Sequence, residues 1–172
     1  VSGGARNAET GSLTVLVGGE EETLEAVRPI LSTIGETIHH VGPTGGGMTL
    51  KVVNNYMFAM NQVVLAEGLA MAREAGIPDD VFADTVGDSS GGSYALDRDM
   101  QGFILPDDYD SEFTLSLMRK DAGIAERFAT ANDIPILLGG VSGLYRVGEA
   151  MGYGDLDSSA IAKLYEDLQT NG

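Results

Sequence analysis

The amino-acid sequence predicts a mainly α fold, an all-helical domain built on one long central helix and preceded by a small strand–helix–strand piece. Three observations predict it. From about Gly46 to Gly76 no proline interrupts the chain, and apolar residues lie on nearly every helical face. Beyond Gly76, shorter helix-patterned segments alternate with Gly, Pro and acidic connections. Only two short runs read as strands, and both precede Pro43. The change of character at Gly42-Pro43 divides the chain into residues 1–43 and residues 44–172.

Each element follows from local pattern. Ser2-Gly3-Gly4 reads as a glycine turn carrying a hydroxyl. Leu13 to Val17 is a short, β-branched run closed by Gly18-Gly19, a buried strand. Glu20 to Glu22 then place negative charge where a helix dipole favours it, and Leu24, Val27, Ile30, Leu31 and Ile34 form the stripe of a helix that Gly35 ends. Pro29 is awkward inside it and threatens a kink. Thr37 to Val41 is the second strand. Strand, helix and strand together are too small to stand as a doubly wound domain.

The long helix follows. At 1.5 Å per residue, about 30 residues span ~45 Å, and a helix apolar all round must be covered on all sides, by other helices or by a second subunit. Pro78 to Val86, Ser93 to Met100, Phe113 to Ala131, Ile136 to Met151 and Ser158 to Leu168 read as further helices. Leu105 to Glu112 is an acidic connection, and Ser89 to Ser93 a helix-breaking loop.

Composition narrows the class. The chain has 172 residues and a formal charge of −16, with 26 acidic residues against 10 basic ones. Such a surface repels nucleic acid and anionic membranes. Its acids are dispersed and its lysines few, a surface suited to high salt, where screening relieves self-repulsion. With no cysteine, disulfides and thiolate metal sites are excluded. His39 and His40, adjacent at a strand end, are too few for a zinc site. No apolar run reaches roughly 18 residues, so the expected protein is soluble and cytoplasmic. The opening Val-Ser-Gly-Gly, without methionine, reads as the interior of a longer protein.

The residues fit for chemistry are few. Lys51 is one of three lysines, and it lies in an otherwise apolar helical segment behind Gly45-Gly46-Gly47. Asn55 is four residues on, so the two share a helix face. The glycines let a ligand or another backbone approach the helix start closely. A lysine is a poor acid–base at its free pKa of ~10.4, but burial or a positive neighbour can bring it towards ~7–8. Spacing alone leaves two readings open, a proton donor beside a carboxamide, or a lysine that snorkels to the surface while Asn55 caps a loop. Ser2, Gly3 and Gly4 can offer amides to a carboxylate or form an ordinary loop. Lys120-Asp121 can be a working pair or a solvated one.

Four ordered motifs carry a resemblance. Val1-Ser2-Gly3-Gly4-Ala5 followed by Thr10 to Thr14 and Val17-Gly18-Gly19 resembles the substrate-loop segment of the β-hydroxyacid dehydrogenases. Val41-Gly42-Pro43 leading to Gly45-Gly46-Gly47 and Lys51-Val52-Val53-Asn54-Asn55 resembles their catalytic segment. Phe113 with Lys120 to Ala125 is similar to their lysine–aspartate helix, and Gly152 to Ala160 to their C-terminal signature. The resemblance implies an NAD- or NADP-linked interconversion of a small 3-hydroxy acid and its semialdehyde. It implies Lys51 as general acid and base, Asn55 holding substrate or orienting the lysine, and Ser2, Gly3 and Gly4 binding the substrate carboxylate. Lys120, with Asp121 in support, would lie near the cofactor, and the fold would resemble the C-terminal domain of 6-phosphogluconate dehydrogenase. A homodimer or homotetramer through the long helix is the expected assembly. Residues 1–43 would be the tail of a Rossmann domain whose Gly-rich half is not in this chain. Asn54 stands where 6-phosphogluconate dehydrogenases carry histidine, and Lys51 stands where imine reductases lack lysine; both branches are therefore disfavoured. The competing class is a non-catalytic dimerisation or binding module of the same fold.

Overall fold

A computed structural model describes residues 1–110, 113–136 and 138–170, and the side chains of all of these except residues 5, 6, 138 and 139. Ser111 and Glu112, the end of the predicted acidic connection, and Leu137, inside the predicted 136–151 helix, lie outside the described residues. The chain divides into two compact units, 1–54 and 55–172.

In the N-terminal unit, β1 (Thr14–Val17) and β2 (Thr37–His40) pair in parallel, Thr14 opposite Thr37 and Val17 opposite His40. Parallel strands need a crossover, and α2 (Glu21–Leu31) supplies it. Leu24 is its buried anchor. The helix runs through Pro29 and ends two residues later, so the proline marks its end more than its middle. Sequence patterning did not anticipate α1 (Gly4–Glu9), six residues that follow an antiparallel bridge between Ser2 and Thr14. An element that short has no periodicity to read.

The helix α3 (Gly46–Glu74) is the longest element and is free of proline. Within the helical unit its covered side is made of small or polar residues, Ala59, Gln62, Ala66 and Ala72, interleaved with Val63, Leu65 and Leu69. Small residues let neighbouring helices come close. The opposite side is open in the single chain: Met57, Val64 and Met71, seven residues apart, are 58%, 60% and 68% exposed.

The remaining elements are α4 (Asp79–Gly87), α5 (Tyr94–Asp99), α6 (Leu115–Ala131), α7 (Leu138–Gly148) and α8 (Ile161–Thr170). Two of these starts, those of α5 and α6, follow capping chemistry. Ser93 Oγ accepts from the Leu96 amide at 3.1 Å, and Thr114 Oγ1 from the Leu117 amide at 3.3 Å. Thus Phe113, read from sequence as helical, sits outside α6. Its carbonyl instead accepts from the Ser158 amide at 3.1 Å. Two further departures share a form. After α5 and after α7 the chain continues as one wide turn of π-helix, Met100–Ile104 and Glu149–Tyr153. The second contains Gly152 at φ +94, a conformation that suits only glycine, so the predicted single helix to Met151 ends early. Leu115, Met118, Tyr145, Ile161 and Leu164 are almost wholly buried and form the core between α6, α7 and α8. Burying side chains of this size contributes about 1.5–3 kcal/mol each. Among the described residues no helix is long and apolar enough to cross a membrane.

Candidate active site

The N-terminal unit holds Ser2, Gly3, Gly4 and Lys51. Ser2 is pinned by its backbone: its amide donates to Thr14 O at 2.8 Å and its carbonyl accepts from the Thr14 amide at 2.9 Å. The chain then turns through two left-handed glycines, Gly3 at φ +132 and Gly4 at φ +70. At Gly3 a side chain is also excluded by space, because a Cβ would meet Asn7 at 2.8 Å. The turn delivers Gly4 as the first residue of α1, where helix N–H groups have no partner within the helix. Lys51 is half-buried in the second turn of α3.

The glycine cluster before Lys51 has a definite task. A Cβ on Gly47 would lie 2.3 Å from Leu16 O, and one on Gly18 would lie 2.5 Å from Pro43 O and 2.8 Å from the Gly46 nitrogen. Of the two possibilities open in the sequence, a close ligand or a close backbone, the structure has the backbone. The end of β1 and the start of α3 touch where only glycine fits, and this contact fixes the position of the first turn of α3, directly before Lys51.

In the helical unit, Asn55 is buried on α3, and its Nδ2 donates to Asp121 Oδ2 of α6 at 2.6 Å. The other oxygen of Asp121 pairs with Lys120 Nζ at 2.9 Å. Lys120 is 58% exposed and Asp121 18%. A carboxylate thus joins a carboxamide to an exposed ammonium. Lys51 and Asn55 lie four residues apart along α3, as helical spacing requires.

A second cluster escaped sequence reasoning. Asp99 and Asp157 are wholly buried, and Arg98 bridges them. Arg98 Nη2 donates to Asp157 Oδ2 at 2.7 Å, and Arg98 Nη1 pairs closely with Asp99. Gln62 Nε2 of α3 donates to Asp99 Oδ2 at 2.7 Å and to Ser158 Oγ at 3.0 Å, and Tyr145 OH of α7 donates to Gln62 Oε1 at 3.0 Å. The guanidinium lies over the Phe103 ring at 4.4 Å. Burial pushes the Asp99 carboxyl up to about 6, against the pull of Arg98 and the hydrogen bond from Gln62. Burial opposes the Arg98 cation, but the two carboxylates outweigh it and its pKa is raised. Asp157 also caps the short 3-10 turn Ser158–Ala160, accepting from the Ser159 amide at 2.8 Å. The C-terminal signature is therefore a structural clasp. The readable signal was Asp before Ser-Ser as an N-cap; its ionic partner 59 residues away left none.

His40 Nε2 lies 2.6 Å from Gly19 O at the end of β2. Among the described residues no group of three or more His, Cys, Asp or Glu is arranged to hold a metal ion.

Comparison with known proteins agrees with this architecture. The family model described as NAD-binding of NADP-dependent 3-hydroxyisobutyrate dehydrogenase matches residues 45–165, and that of the NAD binding domain of 6-phosphogluconate dehydrogenase matches residues 1–42. The chain is 37% identical to 2-(hydroxymethyl)glutarate dehydrogenase of Eubacterium barkeri, over 98% of this chain and 56% of that protein. It is 36% identical to the NAD-dependent L-serine dehydrogenase of Pseudomonas aeruginosa, over 98% of this chain and 59% of that protein. The structure of Mycobacterium tuberculosis 3-hydroxyisobutyrate dehydrogenase with L-serine superposes with a TM-score of 0.87 at 29% identity, covering 95% of this chain and 58% of that one. The chain thus spans a little over half the length of the relatives it matches. With a family model matched across most of its length and the mainly helical fold in common, the chain belongs to the β-hydroxyacid dehydrogenase family.

Proposed function

We propose that this chain is the substrate-binding part of an NAD- or NADP-dependent dehydrogenase that interconverts a small 3-hydroxy acid and its semialdehyde. The observation that carries the reading is Lys51 with Asn55 one helical turn on, at the start of α3, in a chain of this family. Three relatives support the substrate class: hydroxymethylglutarate, L-serine and 3-hydroxyisobutyrate all have a carboxylate and a hydroxyl on the β carbon.

Lys51 gives a proton to the carbonyl oxygen in reduction and takes it from the hydroxyl in oxidation. Proton transfer by a positioned side chain contributes about 10²–10⁴-fold. The Ser2 hydroxyl and the amides of Gly3 and Gly4 hold the carboxylate, a task suited to unpaired N–H groups at a glycine turn. Asn55 binds substrate in an orientation set by Asp121. The exposed Lys120 ammonium, steadied by Asp121, fits a polar or anionic part of the cofactor. Bound NAD or NADP supplies or accepts the hydride. Residues 1–43 complete the nucleotide-binding domain and residues 44–172 form the substrate and assembly domain. The protein works in the cytoplasm, and cell fractionation that finds it outside would overturn that placement.

Lys51→Ala, in the form of the protein that binds NAD(P)H, should lower turnover by at least about 10²-fold with cofactor affinity nearly unchanged. Turnover with a panel of 3-hydroxy acids is the measurement, and full activity in the variant would sink the assignment. A protein that oxidises neither NADH nor NADPH with any semialdehyde would be the non-catalytic module instead.

The open stripe Met57, Val64 and Met71 supports assembly through α3. An apolar row at heptad spacing matches the seam between paired helices. Sedimentation should find a homodimer or homotetramer, and Val64→Asp should find a monomer; an unchanged mass in that variant would remove α3 from the interface.

A further inference from the structure

Four of the chain's ten basic residues, Arg119, Lys120, Arg127 and Arg146, converge on one concavity between α6 and α7. Six are left for the rest of a chain with 26 acidic residues. A field so negative disfavours anions almost everywhere, so a cationic hollow runs against the general surface. We infer that this hollow binds an oxyanion of the phosphate class. It does not need the proton chemistry at Lys51, although it shares Lys120 with the proposed cofactor contact.

The arrangement favours a ligand over internal pairing. Arg119 Nε has Glu149 at 2.6 Å and Lys120 has Asp121 at 2.9 Å. Glu126, the single carboxylate in the lining, accepts from Ser142 Oγ at 2.8 Å. The side chains of Arg127 and Arg146, among the described residues, make neither an ion pair nor a hydrogen bond. Two guanidinium groups on facing helices are thus open to solvent across a space of about 230 Å3. Lys120, Gly123 and Arg127 lie three and four residues apart on one face of α6. Gly123 keeps that face low: a Cβ there would lie 3.5 Å from Arg127 Nη1.

Charge and size select the ligand. A planar carboxylate is filled by one guanidinium fork, whereas a phosphate has oxygens for two. Arg127 and Arg146 against Glu126 leave one positive charge. A dianion draws in addition on Arg119 and Lys120, whose partly exposed pairs are weak enough to loosen. The hollow is smaller than the ~300 Å3 at which small-molecule sites begin, which suits a phosphate group and not a whole dinucleotide.

The test is thermal melting of the 172-residue chain by circular dichroism, at fixed pH and ionic strength, exchanging KCl for potassium phosphate or for AMP. Specific binding gives a rise in Tm that follows the logarithm of ligand concentration above Kd, whereas phosphate excluded from the surface gives a rise proportional to concentration. We expect the logarithmic rise, with apparent Kd weakened at least about ten-fold in Arg127→Gln/Arg146→Gln. A logarithmic rise with phosphate assigns a free oxyanion, and one with AMP alone assigns a nucleotide phosphate; both support the site. No logarithmic rise, or the same Kd in the folded variant, overturns it. If that variant loses its native spectrum, Arg127→Lys/Arg146→Lys keeps the charge but removes the forks, and an unchanged Kd there overturns it equally.

Discussion

The Asn55–Asp121–Lys120 cluster and the Gln62–Asp99–Arg98–Asp157 cluster both join α3 to another helix through an aspartate, and their surroundings are opposite. In the first, Lys120 reaches solvent and the carboxylate has one short bond to a carboxamide. In the second, both carboxylates are buried and the cluster draws on three elements, α3, α5 and the turn before α8. An open pair costs little to break and can exchange partners with a ligand. A sealed one must be complete, because any carboxylate left unpaired pays the full cost of desolvation. The same residue types form an open pair in one place and a sealed clasp in the other.

The largest break in this contrast should come from Arg98→Ala. It leaves Asp99 and Asp157 buried and facing one another, and should cost about 3–5 kcal/mol in urea unfolding. Asp121→Asn, measured the same way, should cost no more than about 1 kcal/mol. Equal losses would mean that the two clusters do not differ as their burial suggests.

The pH dependence sharpens the contrast next. The Asp99 carboxyl is about 6 when folded against an ordinary value of 3.8, so between these values the folded protein holds a proton that the unfolded chain has lost. Stability through this group therefore falls as pH rises from about 4 to about 6, by about 3 kcal/mol in all. Asp99→Asn should remove that component. Urea unfolding of both proteins across the window reads it out, and parallel curves would show that Asp99 does not titrate there.

Salt should have the smallest effect on the clusters and separate them in kind. Molar KCl screens exposed charges and leaves buried ones alone. The melting temperature of the wild type should rise as the −16 surface is screened, and any cost of Asp121→Asn should vanish. The cost of Arg98→Ala should persist. A melting temperature indifferent to KCl would count against a chain adapted to high salt.

Much of this molecule was legible in local pattern. The two parallel strands, the crossover helix and the long α3 follow from β-branched runs, acids at a helix start and a proline-free apolar stretch, all properties of neighbouring residues. Lys51 and Asn55 stood out because helical spacing alone puts them on one face. Other features were hidden for a physical reason. The length of α1 is below any period, and the π turns after α5 and α7 depend on how those helices are packed. The partners of Arg98 are one residue and 59 residues away, and nothing in either segment announces the other.

By itself, then, the sequence determined the helical class and the acidic surface, and it marked out a short list of candidate residues for proton transfer and carboxylate binding, because these rest on composition and on spacing along one element. Only the tertiary structure decided what those residues meet. It gave the glycine cluster to β1, made Asp121 the hub between Asn55 and Lys120, and sealed Asp99 and Asp157 around Arg98. Burial and charge pairing are set by segments far apart in the chain, and they exist only once the helices have packed.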